Sequence, residues 1–359
     1  MSAIRCTVEP RMPSGVPALV ESVVFGTSGL RYRRLDVAAQ LGRLHDPVFV
    51  CAYRADALVG VYALDRRALS VDGRAVIGVY RGTLCVASDA QGSGVGAALA
   101  ARGREWIDAL ADGSGEAVLS WGCIDADNTR SLTLLEREGA SDTGALAMLM
   151  SYRQWRRERV ALEALAPGRD PREVAVLAAT LADCALRDVT PSALPGLALL
   201  DGAGLRVSAR VALSGYRIET MGRALDAAVR VFVTPFPPAR RRFDVNAFRY
   251  VRFSDVAVRD GCERDWPRFV ATVLARYGVH FGMVFVDSAS ALHERIAGNG
   301  RPASGSLRLM TRWSRPDPVG RDERRGAAGP EGTAPRDETP RSGGEAALDG
   351  PVALVPVDG

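Results

Sequence analysis

The chain contains no lysine: all 46 of its basic residues are arginine. That absence removes the G-K-[ST] phosphate loop, which relies on a lysine to reach the nucleotide phosphates. Together with abundant Ala, Gly and Val, it reads as the bias of a high-GC coding sequence. Cysteine and histidine are sparse too. Cys6, Cys51, Cys85, Cys123, Cys184 and Cys262 stand singly, with no C-x-x-C pair, and His45, His280 and His293 are isolated. Neither a metal site nor a disulfide framework is expected, which suits a reducing compartment. No segment reaches the roughly 18 apolar residues of a membrane span. The N-terminal run "VPALVESVVFGTSG" carries Glu21 inside it, which makes a poor secretory signal. A soluble, cytoplasmic protein is expected. The net charge of +4 over 359 residues is too small to imply a nucleic-acid partner.

What is present is enough apolar material, 47% of the chain, for two packed domains. From about Arg315 onwards aromatic residues disappear and Pro, Gly and charge take over. Such a segment buries too little to offset the entropy of ordering, so residues 315–359 are expected to be a disordered tail. A second division falls near "WRRERVALEALAPGRDP", residues 155–171. Asp170-Pro171 has the form of an N-cap followed by proline at the first helical position. The expected domains are 1–157, 158–314 and the tail.

In the first domain, helices are expected near residues 15–25 and 33–43, followed by strands at 47–53, 57–64 and 74–88. A helix over 94–111, a strand over 116–124, a short helix over 128–138 and a strand over 144–155 complete it. The closing part of this order recurs in the second half. Strand 247–258, helix 264–278, strand 280–286, helix 288–298 and strand 306–313 follow one another. "LMSYR" at 149–153 and "LMTRW" at 309–313 end the two series, as a duplicated module would place them.

The most informative stretch is "LCVASDAQGSGVGAAL". Gly92-Ser93-Gly94-Val95-Gly96-Ala97 also satisfies the G-x-G-x-x-A pattern of dinucleotide-binding folds. That fingerprint belongs to the first strand-turn-helix unit and wants a carboxylate ending the next strand. Here several strands come first, and the next strand passes through Ser120, Trp121 and Gly122. The dinucleotide reading fails. What remains is a strand ending L-x-V, then Q-x-x-G-x-G, then a helix. Glycines let a phosphate approach the backbone, and the helix N-terminus favours its charge.

This stretch resembles the acyl-CoA loop of the GNAT superfamily of N-acyltransferases, with Gln91, Gly94 and Gly96 on its defining positions. A second signature follows 37 residues after Gln91: "DNTRSLTLLEREGA", with Asn128, Ser131, Leu134 and Gly139 in place. The resemblance covers about residues 15 to 155. It implies an α+β fold of tandem GNAT-like domains, each a mixed, mostly antiparallel sheet flanked by helices. It also implies acyl-CoA, most simply acetyl-CoA, as co-substrate and no metal. Coenzyme A would meet Cys85 and Val86 at the strand end, Gln91, Gly92, Ser93, Gly94, Val95, Gly96 and Ala97 in the loop, and Asn128 and Ser131 beyond. The pantetheine amides would pair with the backbone near Cys85 and Val86, much as an added strand would.

Two positions depart from the family. Where many members carry a tyrosine acid, Leu135 stands; where some carry a glutamate base, ten residues before Gln91, Arg81 stands. No residue is therefore assigned as catalytic, and Tyr80, Thr83, Cys123 and Asp125 are the candidates to substitute. The second half lacks the loop, reading "VAVRDGCERDW" with Asp260, Glu263 and Asp265 opposing phosphate, so it is expected not to bind coenzyme A. The expected activity is transfer of an acyl group, acetyl first, to a small-molecule amine. The alternatives are a non-catalytic acyl-CoA-binding scaffold and a GNAT-like decarboxylase of an acyl thioester.

Overall fold

The computed structural model describes residues 3–26, 29–153, 158–168, 170–233, 235–297, 301–315 and 352–353. The first half runs β1 (Ile4–Glu9), α1 (Gly15–Ser22), β2 (Arg31–Leu35), α2 (Val37–Leu41), β3 (Pro47–Arg54), β4 (Ala57–Val71) and β5 (Arg74–Val86). It continues with α3 (Val95–Ser114), β6 (Val118–Asp125), α4 (Thr129–Arg137) and β7 (Ser141–Tyr152). The second half comprises β8 (Glu163–Leu165), α5 (Pro171–Thr180), β9 (Leu186–Asp188), β10 (Gly196–Asp201), β11 (Gly204–Thr220), α6 (Arg223–Phe232) and α7 (Pro237–Arg242). It ends with β12 (Phe248–Val258), α8 (Trp266–Arg276), β13 (Phe281–Asp287), α9 (Ala291–Ala297) and β14 (Arg301–Trp313). A short β15 (Val352–Ala353) pairs in parallel with β9. The remainder of the expected tail, residues 316–351 and 354–359, lies outside the described residues, as do residues 154–157 beside the expected domain boundary.

The strands form one mixed sheet rather than two. Its order is β1-β3-β4-β5-β6-β14-β7-β13-β12-β11-β10-β8, with β2 pairing the far end of β11. The centre shows a reciprocal exchange. β14, the last long strand of the second half, lies between β6 and β7, while β7, the last of the first half, reaches β13. Each half thus completes its sheet with a strand of the other.

α3 carries its apolar residues at helical spacing. Val95, Leu99 and Ile107 are buried against Tyr62, Leu64 and Val79, and a fully buried leucine there contributes about 1.5–3 kcal/mol. The opposite face of the first half is covered by α1 and α2, whose Val16, Val20, Val37 and Leu41 pack on Phe49, Val61, Ala63 and Cys85. Asp170 caps α5 as expected, its carboxylate accepting from Arg172 N at 2.9 Å. One expectation is overturned: the stretch read as helix 33–43 begins as β2, and only Val37–Leu41 is helical. β2 is a strand because it pairs with β11 of the other half, Arg33 opposite Arg217.

Candidate functional site

β5 and β6 run parallel but pair over only four positions, from Ile77↔Val118 to Tyr80↔Trp121. Beyond that point β5 continues to Val86 and β6 to Asp125 without meeting, and a wedge opens. β6 turns its other edge to β14, with Asp125 opposite Leu307. β5 stays on β4, with a bulge where the register steps from Leu64↔Arg81 to Tyr62↔Leu84. A bulge re-aims side chains and bends its strand, which accentuates the divergence. Backbone groups along residues 81–86 therefore face a gap where an extended ligand could pair.

The glycine turn lies at the open end of this wedge. Gly92 (φ +80°) and Gly94 (φ +86°) are left-handed, a region that residues with a Cβ rarely adopt. A Cβ on either would meet nothing within 4 Å, so the backbone conformation, not crowding, asks for glycine. Gly94 is the N-cap of α3 and offers no side chain to its first amides. Those amides, at the positive end of a 20-residue helix, are suited to an anion. Gln91 is exposed and its Nε2 donates to Val86 O at 3.1 Å, tying the turn to the end of β5. Ser93 Oγ donates to Ala90 O at 2.6 Å and accepts from Arg54 at 3.3 Å. Val95 anchors α3 in the core, Ala97 is exposed, and a Cβ on Gly96 would lie 3.8 Å from Val86 Cγ2.

The other expected contacts are placed less directly. Cys85 is buried toward α1 and α2, and burial pushes its thiol up to about 12, so at neutral pH it is a small neutral side chain. Val86 points the other way, toward α3. Asn128 caps α4 by accepting from Ser131 N at 3.2 Å, so these two residues are occupied with each other.

Arg81 and Leu135 line the base of the wedge. The Arg81 side chain is almost wholly buried and pairs with Glu138 at 3.3 Å. Burial raises the Glu138 carboxyl above its usual range, although Arg81, Arg104 and Arg312 pull it down. Leu135 packs on Met310 and Ala140, and its Cδ1 lies 3.9 Å from a Cβ built on Gly122. Of the four substitutes, Tyr80 is buried with its ring 5.8 Å from that of Trp121. Thr83 accepts from Arg34 at 2.7 Å. The Cys123 thiol is pushed up to about 12 by burial, and Asp125 caps a turn by accepting from Asp127 N at 3.0 Å.

Sequence reasoning missed the residues opposite α3. Arg34 binds Gln40 of α2 and reaches the β5 bulge through Thr83. Tyr250 O–H donates to Tyr216 at 2.6 Å, and the Tyr32 and Tyr216 rings are 4.2 Å apart. This aromatic chain joins the halves, and burial pushes Tyr32 up to about 12. No local pattern marks such residues, because their partners are distant in sequence.

The second half repeats the wedge. β12 and β13 pair from Tyr250↔Phe281 to Phe253↔Val284 and then part. Asp255 has a left-handed φ of 46° at the corresponding bulge. The turn beyond β12 offers no glycine cradle: Gly261 stands alone, and Asp265 before α8 pairs with Arg206 at 2.6 Å. A cavity of about 110 Å³ nevertheless opens at this second wedge, lined by Ser254 and Asp255 of β12 and by Val286 and Asp287 of β13. Among the described residues no group of three or more His, Cys, Asp or Glu could hold a metal ion. Nor is any helix among them long and apolar enough to cross a membrane.

No family model matches the sequence, and no curated protein does. Solved structures do. Saccharomyces cerevisiae N-myristoyltransferase, with bound myristoyl-CoA and inhibitors, superposes with a TM-score of 0.57 at 8% identity, over 87% of this chain and 80% of that one. A GCN5-related N-acetyltransferase from Anabaena variabilis gives 0.50 at 12% identity, over 87% and 73%. Identities this low speak for architecture alone, and with the wedge and the glycine turn already in place the chain has the fold of the GNAT superfamily.

Proposed function

We propose that the chain is an N-acyltransferase whose first half, residues 1–157, binds acyl-CoA and whose second half, residues 158–314, has lost that capacity. One observation carries the reading: the wedge past Tyr80 and Trp121 opens at the same end as the exposed N-terminus of α3. A thioester lying along residues 81–86 would have its pyrophosphate at the amides following Gly94. The structural neighbours, an N-myristoyltransferase with bound myristoyl-CoA and a GCN5-related N-acetyltransferase, support the same chemistry.

Catalysis would rest on positioning. An attacking amine must be neutral, and orienting it against the carbonyl supplies much of the acceleration. The departing thiol has a pKa near about 8.5, so it leaves at neutral pH with little proton donation. That relieves position 135, where leucine can give nothing. The acetyl group and a small-molecule amine are the preferred donor and acceptor.

Thiol release from acetyl-CoA, followed with and without a panel of small amines, tests this. Release that requires an amine supports transfer. Binding without release under every condition would leave a scaffold, the reading favoured by Arg81 and Leu135. Conversion of malonyl-CoA to acetyl-CoA and CO2, with no thiol released and no amine needed, would point to decarboxylation.

A further inference from the structure

α6 and the turn into α7 form the connection between β11 and β12, and they carry apolar side chains that the body does not bury. Among the described residues the four most exposed large apolar side chains are Phe232 at 69%, Val231 at 59%, Phe236 at 56% and Leu225 at 52%. All four fall within twelve consecutive positions. Single exposed apolar residues need no explanation, but a cluster of them marks a contact surface. α6 is amphipathic: Leu225, Ala228, Val229 and Phe232 recur at helical spacing, and Arg223 and Asp226 fall off that stripe. Such a helix ordinarily turns its apolar stripe to the core. Here Leu225, Val231 and Phe232 belong to none of the hydrophobic clusters of the body.

The charge of the same segment says what would cover it. Residues 221–243 contain five arginines, Arg223, Arg230, Arg240, Arg241 and Arg242, and a single carboxylate, Asp226. Asp226 is engaged locally: it accepts from Met221 N at 2.8 Å and from the Thr220 hydroxyl, which fastens the start of α6 to the end of β11. The segment is thus basic as well as apolar, and its occupant must answer both properties. A second copy fails, because a two-fold contact would set this basic surface against itself. The chain's own acidic stretch answers only the charge, since Val319 and Leu348 are the only large apolar residues of positions 316–350. A membrane of anionic lipid answers both. Its headgroups attract arginine, and the acyl boundary beneath them accepts Phe, Leu and Val.

We propose that α6 and the turn after it dock the protein on an anionic lipid surface, with Leu225, Val231, Phe232 and Phe236 entering the headgroup boundary and the arginines of the segment drawn to the lipid phosphates. No spanning segment is needed, because an amphipathic helix lies in the plane of the interface. The docking does not depend on acyl transfer, but it bears on where the first wedge would sit. Thr220, two residues before Gly222 caps α6, pairs with Arg31 of β2, and Arg34 of the same strand donates to Thr83 at the β5 bulge. A docked α6 holds the β2 side of the first half close to the membrane.

The test is flotation of the full chain with lipid vesicles. With about 30% phosphatidylserine in phosphatidylcholine, the bound fraction should exceed that on phosphatidylcholine alone roughly tenfold. Raising the salt from about 0.1 M to about 0.5 M should remove most of it. Phe232→Ser combined with Phe236→Ser should cut binding to the anionic vesicles roughly tenfold. Both side chains are exposed, so the circular dichroism and melting temperature of this variant should match the native chain. The proposal is overturned if the anionic vesicles hold no more protein than the neutral ones, if salt leaves the binding unchanged, or if the double variant floats as well as the native chain. It is equally overturned if binding appears only after residues 316–359 are removed, which would make the acidic stretch the occupant. A native dimer in sedimentation that the double variant abolishes would overturn it too, in favour of a second copy.

Discussion

Leu309 of the last long strand stands in register opposite Cys123 of β6, so the first half is completed by a strand from the far end of the chain. On its other edge β14 meets β7, which continues the sheet into β13. A chain cut between residues 157 and 158 would leave each half with an unfilled place in its sheet and an exposed strand edge. Expressed alone, the halves should be poorly soluble. Co-expressed, they should associate and recover the far-ultraviolet circular dichroism of the intact protein. Two monomeric halves that melt cooperatively on their own would show that the exchange is dispensable.

The glycine turn can be probed without cutting the chain. Gly94 sits at φ +86° with open space where a Cβ would project. Gly94→Ala therefore adds backbone strain of about 1–2 kcal/mol and no clash. Gly94→Asp adds a negative charge at the first amides of α3 as well. If the turn receives a pyrophosphate, coenzyme A should bind Gly94→Ala weakly and Gly94→Asp not at all, by calorimetry on the full chain. Equal binding to both variants would place the cofactor elsewhere.

Arg81 and Glu138 form a pair whose side chains are 2% and 7% exposed. Replacing Arg81 by methionine leaves a buried carboxylate with only Arg104 and Arg312 to attract it. The cost should be about 3 kcal/mol, the lower end of the range for a broken buried pair. The pH dependence follows from the sign of the shift. A carboxyl whose folded pKa is raised favours the folded state when protonated, and that advantage disappears as pH rises through the folded pKa. In the variant this pKa rises further, so the loss of stability should be largest at neutral pH and should shrink through the acidic carboxylate range. Denaturant melts at several pH values would show it; a deficit independent of pH would mean that Glu138 does not titrate in the fold.

Removal of residues 316–359 should cost little. Among the described residues it removes the pairing of Val352 and Ala353 with Leu186 and Arg187 and the contact of this short strand with β13. A few such hydrogen bonds are each worth about 0.5–1.5 kcal/mol, so the melting temperature should fall by no more than about 5 °C. A larger fall would show that more of the segment packs against the body than this short strand.

The parts of this fold that were legible in the sequence are the local ones. The glycine turn announces itself through backbone requirements, and α3 through the spacing of Val95 and Leu99. Asp170 and Pro171 likewise mark the start of α5 by chemistry confined to one helical turn. β2 could not be read this way, because Arg31–Leu35 is extended only by virtue of β11. Strand preference depends on such neighbours more than on the residues themselves. For the same reason the exchange of β7 and β14, the tyrosine chain and the second cavity were invisible: each joins residues from opposite halves.

Leu135 gives the sharpest test of how the first wedge works. It is 5% exposed, on the inner face of α4, against Met310 of the exchanged strand and Ala140. Leu135→Ala should therefore lower stability by about 2–5 kcal/mol. Its effect on turnover, measured on the folded fraction, should be smaller than any loss caused by removing a proton donor. Leu135→Tyr tests the opposite case by installing a hydroxyl at the position where the resemblance to the GNAT superfamily would put a tyrosine acid. If a donor were the one thing lacking, turnover at saturating acyl-CoA should rise, at most by the roughly 10²–10⁴-fold that acid–base catalysis supplies. The surroundings argue against a gain. A ring at 135 must displace Met310 or Ala140, and overpacking of this kind costs about 1–3 kcal/mol. The thiolate leaves without help in the reading given above, so a new hydroxyl would have little to add. Leu135→Tyr should lower the melting temperature and leave turnover unchanged or reduced. A clear rise in turnover would mean that the site lacks a donor and nothing else.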